Sequence, residues 1–146
     1  MAQNGRPLRV NAGECIGCRA CASVCPAGLI TLSDTDRHRT LWFAATCAED
    51  CERCAMACPT GAIRLGEPAP GVSAEGSRLE FKLEPCRTCG RPVATVEMLA
   101  RLRSVIPSAI QADGEDRPWL DLCPSCRQQM EARRVAQEGL MSRRPR

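Results

Sequence analysis

Cys15-Ile-Gly-Cys18-Arg-Ala-Cys21-Ala-Ser-Val-Cys25-Pro26 is the stretch whose reading decides the fold. Two, two and three residues separate its cysteines, and a proline follows the last. A second stretch, Cys47-Ala-Glu-Asp-Cys51-Glu-Arg-Cys54-Ala-Met-Ala-Cys58-Pro59, repeats the pattern with one extra residue in its first gap. Pro26-Ala-Gly28-Leu-Ile30 recurs after it as Pro59-Thr-Gly61-Ala-Ile63. The first part of the chain is therefore a duplication. Its two copies are too few for a stacked-repeat array.

Thiolates at these spacings suit iron, a metal that takes soft sulfur ligands in clusters, and C-x2-C-x2-C-x3-C-P is a run that binds cubane iron–sulfur clusters. Two intervening residues let a loop curl around a cluster, aim successive sulfurs at different irons and turn amide N–H groups toward the sulfurs. Such bonds help set the reduction potential. Gly17 tolerates close approach of backbone to cluster. Ala20, Ala22, Ala55 and Ala57 keep the surroundings small and apolar. A chain spaced this way is expected to move electrons. The extra residue before Cys51 leaves two readings open. A small bulge past Ala48 keeps Cys47 as a ligand, or the second site holds a three-iron or labile cluster with Asp50 offering oxygen.

The last four cysteines have a different context. Cys86-Arg-Thr-Cys89-Gly90 and Cys123-Pro-Ser-Cys126 read as two knuckles closing one tetrahedral four-cysteine zinc site, structural rather than catalytic. A third iron–sulfur cluster or a redox dithiol are the competing readings. The zinc site is expected to clamp a helix over 96–106 between its two ends.

Composition agrees with metal. Among 146 residues the aromatics are Trp42, Trp119, Phe43 and Phe81, too few for a conventional core; bound metal can supply the missing folding energy. Twelve cysteines could instead mean disulfides in a secreted chain. The regular CxxC spacing, and an N-terminus without an apolar segment, favour metal in a reducing compartment. No apolar run approaches the length of a membrane span. The formal charge of +3 counts every thiol as neutral. Twelve thiolates, two cubane cores and one zinc shift it by about −6, so the loaded chain carries about −3. The basic excess lies late in the chain, at Arg133, Arg134, Arg143, Arg144 and Arg146. Lacking interleaved aromatics, it reads as a solvated end rather than a nucleic-acid surface.

Each copy of the duplication reads as strand, ligand loop, short helix, strand. Residues 8–10 and 40–43 are expected first strands, 19–24 and 52–57 helices, and 29–32 and 62–65 closing strands. The expected organisation is a cluster domain over 1–65, a Pro/Gly/Ser-rich linker over 66–80, and a zinc-type unit over 81–146 with a charged helix at 127–141. Val96, Leu99, Leu102, Val105 and Ile106 form a core stripe at helical spacing, and Pro107 stops that helix. Trp42 and Phe43 are expected to pack beside a cluster. His38, the one histidine, is expected to face solvent in a polar turn. No serine–histidine–aspartate set, phosphate loop or paired carboxylates stand out, so no active site of its own is expected.

With both runs in view, residues 1–65 resemble bacterial two-cluster ferredoxins. The fold implied is α+β: a duplicated two-[4Fe-4S] ferredoxin-like fold followed by a small, α-containing four-cysteine unit. In those ferredoxins the fourth cysteine of each run ligates the other cluster. The resemblance implies that Cys15, Cys18, Cys21 and Cys58 hold cluster one. It likewise implies that Cys47, Cys51, Cys54 and Cys25 hold cluster two, while Cys86, Cys89, Cys123 and Cys126 are expected from their own spacing to hold zinc. Taken with Cys-Arg-Thr-Cys-Gly-Arg-Pro-Val and Leu-Cys-Pro-Ser-Cys-Arg, nearly the whole chain is similar to a narrower family. This is the ferredoxin-type iron–sulfur subunits of formate hydrogenlyase and other membrane-bound group 4 [NiFe] hydrogenases, related to the two-cluster subunit of respiratory complex I. That likeness implies an electron relay with donor and acceptor proteins inside a multisubunit complex, cytoplasmic and peripheral to the inner face of the membrane. Membrane contact would be indirect, with no nucleic-acid partner. A free, diffusing ferredoxin is the alternative.

Overall fold

The computed structural model describes residues 5–47, 50–67, 75–111 and 119–142. Its first half contains β1 (Arg6–Val10), α1 (Ala20–Val24), β2 (Ile30–Asp34), β3 (His38–Phe43), β4 (Thr46–Cys47), α2 (Arg53–Ala57) and β5 (Ile63–Leu65). β1 pairs antiparallel with β5, Leu8 facing Leu65 and Val10 facing Ile63. β2 pairs antiparallel with β3, Ile30 facing Phe43 and Leu32 facing Leu41. The first strand of each copy thus pairs with the closing strand of the other, so neither copy completes its own ladder. β4 adds to the outer edge of β1.

Both cluster-side helices are single turns, too short to be stable alone. They pack on each other and contribute Cys21 and Cys54 to a core of Leu8, Ile30, Leu41, Phe43, Ile63 and Phe81. Full burial of a Leu, Ile or Phe side chain contributes about 1.5–3 kcal/mol. The core is small but sufficient to order the strands. Phe43 lies in it, but Trp42, one residue earlier and on the opposite sheet face, does not. It is half-exposed under the guanidinium of Arg78, so the expectation that it packs beside a cluster is corrected. His38 is exposed, as expected, but it is the first residue of β3 rather than part of the turn before it, and its N–H donates to the Thr35 hydroxyl oxygen.

The larger difference from the sequence reading concerns residues 77–80. Expected as linker, they instead open β6 (Ser77–Pro85). β6 pairs antiparallel with the whole of β3, from Phe43 opposite Ser77 to His38 opposite Lys82. β7 (Pro92–Thr95) extends the sheet to the order β2-β3-β6-β7. The cause is period-two alternation: Leu79, Phe81 and Leu83 point inward, and Arg78, Glu80, Lys82 and Glu84 lie between them. Residues 68–74 of the expected linker lie outside the described residues.

Beyond the sheet come α3 (Val96–Val105), α4 (Ser108–Gln111), a 3-10 turn (Trp119–Asp121) and α5 (Pro124–Ser142). Thr95 is the N-cap of α3, its hydroxyl oxygen accepting the Met98 N–H. Leu99 packs with Ala94 and Leu120, flanked by Leu102, Ile106 and Trp119. The apolar stripe is core at those positions, but Val105 is exposed. α5 starts at Pro124 rather than 127, since proline suits the first helical position. Arg143, Arg144 and Arg146 lie outside the described residues. Among the described residues, no helix is long and apolar enough to cross a membrane.

Candidate metal centres

Two small cavities open within the duplicated half. The first is lined by Cys15, Cys18, Cys21 and Cys58, with Leu41, Thr60 and Ile63 behind them. The second is lined by Cys25, Cys47, Cys51 and Cys54, with Leu8, Leu29 and Ile30. Each gathers three sulfurs from one run and the fourth from the other. The strand exchange explains this: the segment after α1 runs into β2 beside the second copy, carrying Cys25 with it. The segment after α2 runs into β5 beside β1, carrying Cys58. The walls are mostly apolar, which excludes water.

Donor chemistry in both cavities fits thiolate-ligated clusters. The Leu29 N–H donates to the Cys25 sulfur at 3.4 Å and the Ala62 N–H to the Cys58 sulfur at 3.3 Å. These are equivalent bonds in the two copies, and both follow left-handed glycines, Gly28 and Gly61. Amide N–H groups aimed at sulfur stabilise negative charge there. Burial pushes Cys21 up to about 11 and also raises Cys15 and Cys54. Burial raises Cys58 too, but the Thr60 hydroxyl and the amides of Thr60, Ala62 and Ile63 outweigh it and leave it below the ordinary thiol value. Cationic iron offsets such burial costs by binding the deprotonated form.

At the second run, Ala48 and Glu49, where the bulge is expected, lie outside the described residues. Asp50 is fully exposed and faces Arg6 at 3.9 Å. It does not line the cavity, whereas Cys47 and Cys51 do.

Around Gly17 the structure holds contacts that spacing alone does not reveal. Gly17 has φ +63, and a Cβ there would lie 2.9 Å from the Phe81 ring and the Thr95 methyl. Its crowding comes from β6 and β7, not only from the cavity side. Arg39, buried in β3, donates one N–H to the Gly17 carbonyl at 2.8 Å and two to the carboxylate of Asp34 at 2.8 Å each. Thr95 donates its hydroxyl to the Ile16 carbonyl at 2.5 Å. The sequence signals for these are faint: a charge within a strand, and a threonine just before an apolar helix.

A third group of sulfurs lies at the edge of the second unit. Those of Cys86, Cys89, Cys123 and Cys126 all stand within 4.8 Å of one another, and Cys89 and Cys123 are 3.6 Å apart. A tetrahedral ion with metal–sulfur bonds of about 2.3 Å needs sulfurs about 3.8 Å apart. The terminal sulfurs of a cubane sit on four separate irons and spread wider, so the spacing suits one ion. Cys86, Cys123 and Cys126 are buried and Cys89 is exposed. The Gly90 N–H closes the first knuckle on the Cys86 carbonyl, and the Cys123 N–H donates to the Cys86 sulfur. Burial works against Cys86, but amides of Cys123, Cys89 and Thr88 prevail and bring it down to about 6. Hydrogen bonding to Cys123 pushes Cys126 up to about 12. Hydrogen bonding from Arg91 likewise lowers Cys89, so Cys86 and Cys89 are both disposed to charge. No disulfide joins any of the twelve cysteines.

The family model of the 4Fe-4S dicluster domain matches residues 14–62. A search of curated proteins finds no match. The matched segment contains all eight cysteines that line the two cavities. Residues 14–62 thus carry a ferredoxin-type 4Fe-4S dicluster domain, which supports an electron-transfer role.

Proposed function

We propose that the protein relays electrons through two [4Fe-4S] clusters as a subunit of a multisubunit redox complex of the membrane-bound [NiFe] hydrogenase or complex I-like kind. Cys15, Cys18, Cys21 and Cys58 hold one cluster, and Cys25, Cys47, Cys51 and Cys54 the other. The observation that carries this reading is the pair of adjoining four-sulfur cavities, each completed by the other run. When bound, such clusters supply one-electron carriers whose potentials lie within roughly −700 to +450 mV.

The chain's own residues bind, orient and insulate. Leu8, Leu29, Ile30, Leu41 and Ile63 keep water from the sulfurs. The amides of Leu29 and Ala62 donate to Cys25 and Cys58. The packed pair α1 and α2 keeps the two cavities beside each other, which shortens the path between them.

Cys86, Cys89, Cys123 and Cys126 hold one zinc ion, in a closed site that anchors the start of α5. A structural zinc there serves the second unit as a docking body toward other subunits. The protein lies at the inner face of the membrane through its complex. Metal analysis and EPR on anaerobically isolated protein test the cofactor reading: eight irons and one zinc per chain are expected, and seven irons or none would overturn it. Co-purification with membrane subunits under low oxygen tests the assembly; a soluble monomer would identify a free ferredoxin instead.

A further inference from the structure

The loop Ile16–Gly17–Cys18, between the first two cysteines, is gripped from outside by three side chains from elsewhere in the chain. Thr95, fully buried at the β7–α3 junction, donates to the Ile16 carbonyl. Arg39, 7 % exposed, donates to the Gly17 carbonyl. The Phe81 ring closes on Gly17. These partners are independent of the cysteines and of the cavity lining.

A trans peptide points its C=O and N–H to opposite sides, and no cis peptide is present among the described residues. The Ile16 carbonyl shares its peptide with the Gly17 N–H, and the Gly17 carbonyl shares its peptide with the Cys18 N–H. Holding both carbonyls outward turns both N–H groups toward the cavity. Hydrogen bonds to cluster sulfurs favour the more negative, reduced state and raise the potential.

We propose that Thr95 and Arg39 are positioning residues for the first centre, fixing the Ile16–Gly17–Cys18 amides toward its sulfurs and so raising its reduction potential. The inference rests on the two-cluster reading above. It makes the second unit a determinant of the first centre's potential, because Thr95 belongs to β7 and also caps α3.

The test is an EPR-monitored potentiometric titration of the full-length, cluster-loaded protein, with the signal lost in Cys18→Ser marking the first centre. Thr95→Val keeps shape but removes the hydroxyl, and Arg39→Gln removes the guanidinium. Each should move the first centre to a more negative potential, with a several-fold lower reduced fraction at the wild-type midpoint, and leave the second centre unmoved. Thr95→Ser should restore the wild-type value. Leu99→Ala weakens α3 without touching the hydroxyl, and should lower stability while leaving both potentials in place. Should Thr95→Val fail to fold, Arg39→Gln and Thr95→Ser carry the test. If both centres are present in Arg39→Gln or Thr95→Val and neither potential moves, the positioning role is overturned and the cluster reading stands. The positioning role also fails if Leu99→Ala shifts the first centre as far as Thr95→Val. If wild-type protein holds no cluster dependent on Cys18, both readings fall.

Discussion

Phe81 stands directly opposite Arg39 across the β3–β6 ladder, and both reach Gly17 in the loop between Cys15 and Cys18. Opposed residues in an antiparallel pair share one face of the sheet. A strand that follows the duplicated half thereby becomes part of the wall behind the first cavity. The cluster half and the second unit meet through a continuous sheet, not through a tether.

Phe81→Ala should therefore destabilise the cluster half, not only the unit that follows it. Phe81 is buried with Leu41, Phe43 and Ile63, and a Phe→Ala change in such a core costs about 3–5 kcal/mol. Chemical denaturation of the loaded protein, followed by visible absorbance, should show cluster loss at a clearly lower midpoint. An unchanged midpoint would mean that β6 does not support the first half.

The Asp34–Arg39 pair should give stability an acid limb. The two hydrogen bonds from Arg39 hold the Asp34 carboxyl below its usual 3.8. A depressed folded value means the contribution is complete above the unfolded value and is lost as pH falls through the folded one. Asp34 is about a third exposed, so solvent screening reduces the pair to about 1–2 kcal/mol. Asp34→Asn should lose that amount at pH 7, and its gap from wild type should begin to narrow only below the ordinary carboxyl value of 3.8 and go on narrowing as pH falls further. A gap that stayed constant through the acid range in which Asp34 takes up its proton would exclude the ion pair as its cause.

Removal of the ion at the third site should unfold locally. Cys123 and Cys126 flank the start of α5, and structural zinc binding contributes about 10–16 kcal/mol in small domains. A chelator should release one zinc per chain and lower the far-UV helix signal. Visible absorbance from iron–sulfur clusters should remain. Iron release in step with the helix loss would count against a separate zinc site.

The duplication, the three groups of cysteines and the short helices are legible in the sequence because ligand spacing is local and punctuated by proline and glycine. Residues 77–80 read as linker because Gly66, Pro68, Pro70, Gly71 and Ser73 dominate what precedes them. The alternation of Leu79, Phe81 and Leu83 gains meaning only once β3 is their partner, and that pairing is long-range. Arg39 and Thr95 stay hidden for the same reason. A charge in a strand and a helix cap are ordinary locally, and their contacts with Gly17 and Ile16 exist only after the sheet has closed. Trp42 is misplaced by a sequence reading because the side of a strand on which a residue falls depends on register.

The most direct test of the crossed arrangement compares Cys58→Ser with Cys18→Ser and Cys51→Ser by iron count and EPR on anaerobically prepared protein. Under crossed ligation, Cys58→Ser loses or perturbs the same signal as Cys18→Ser, although Cys58 follows Cys51 and Cys54 in the chain. If Cys58→Ser instead matched Cys51→Ser and left the Cys18-dependent signal intact, each run would bind its own cluster and crossed ligation would be ruled out.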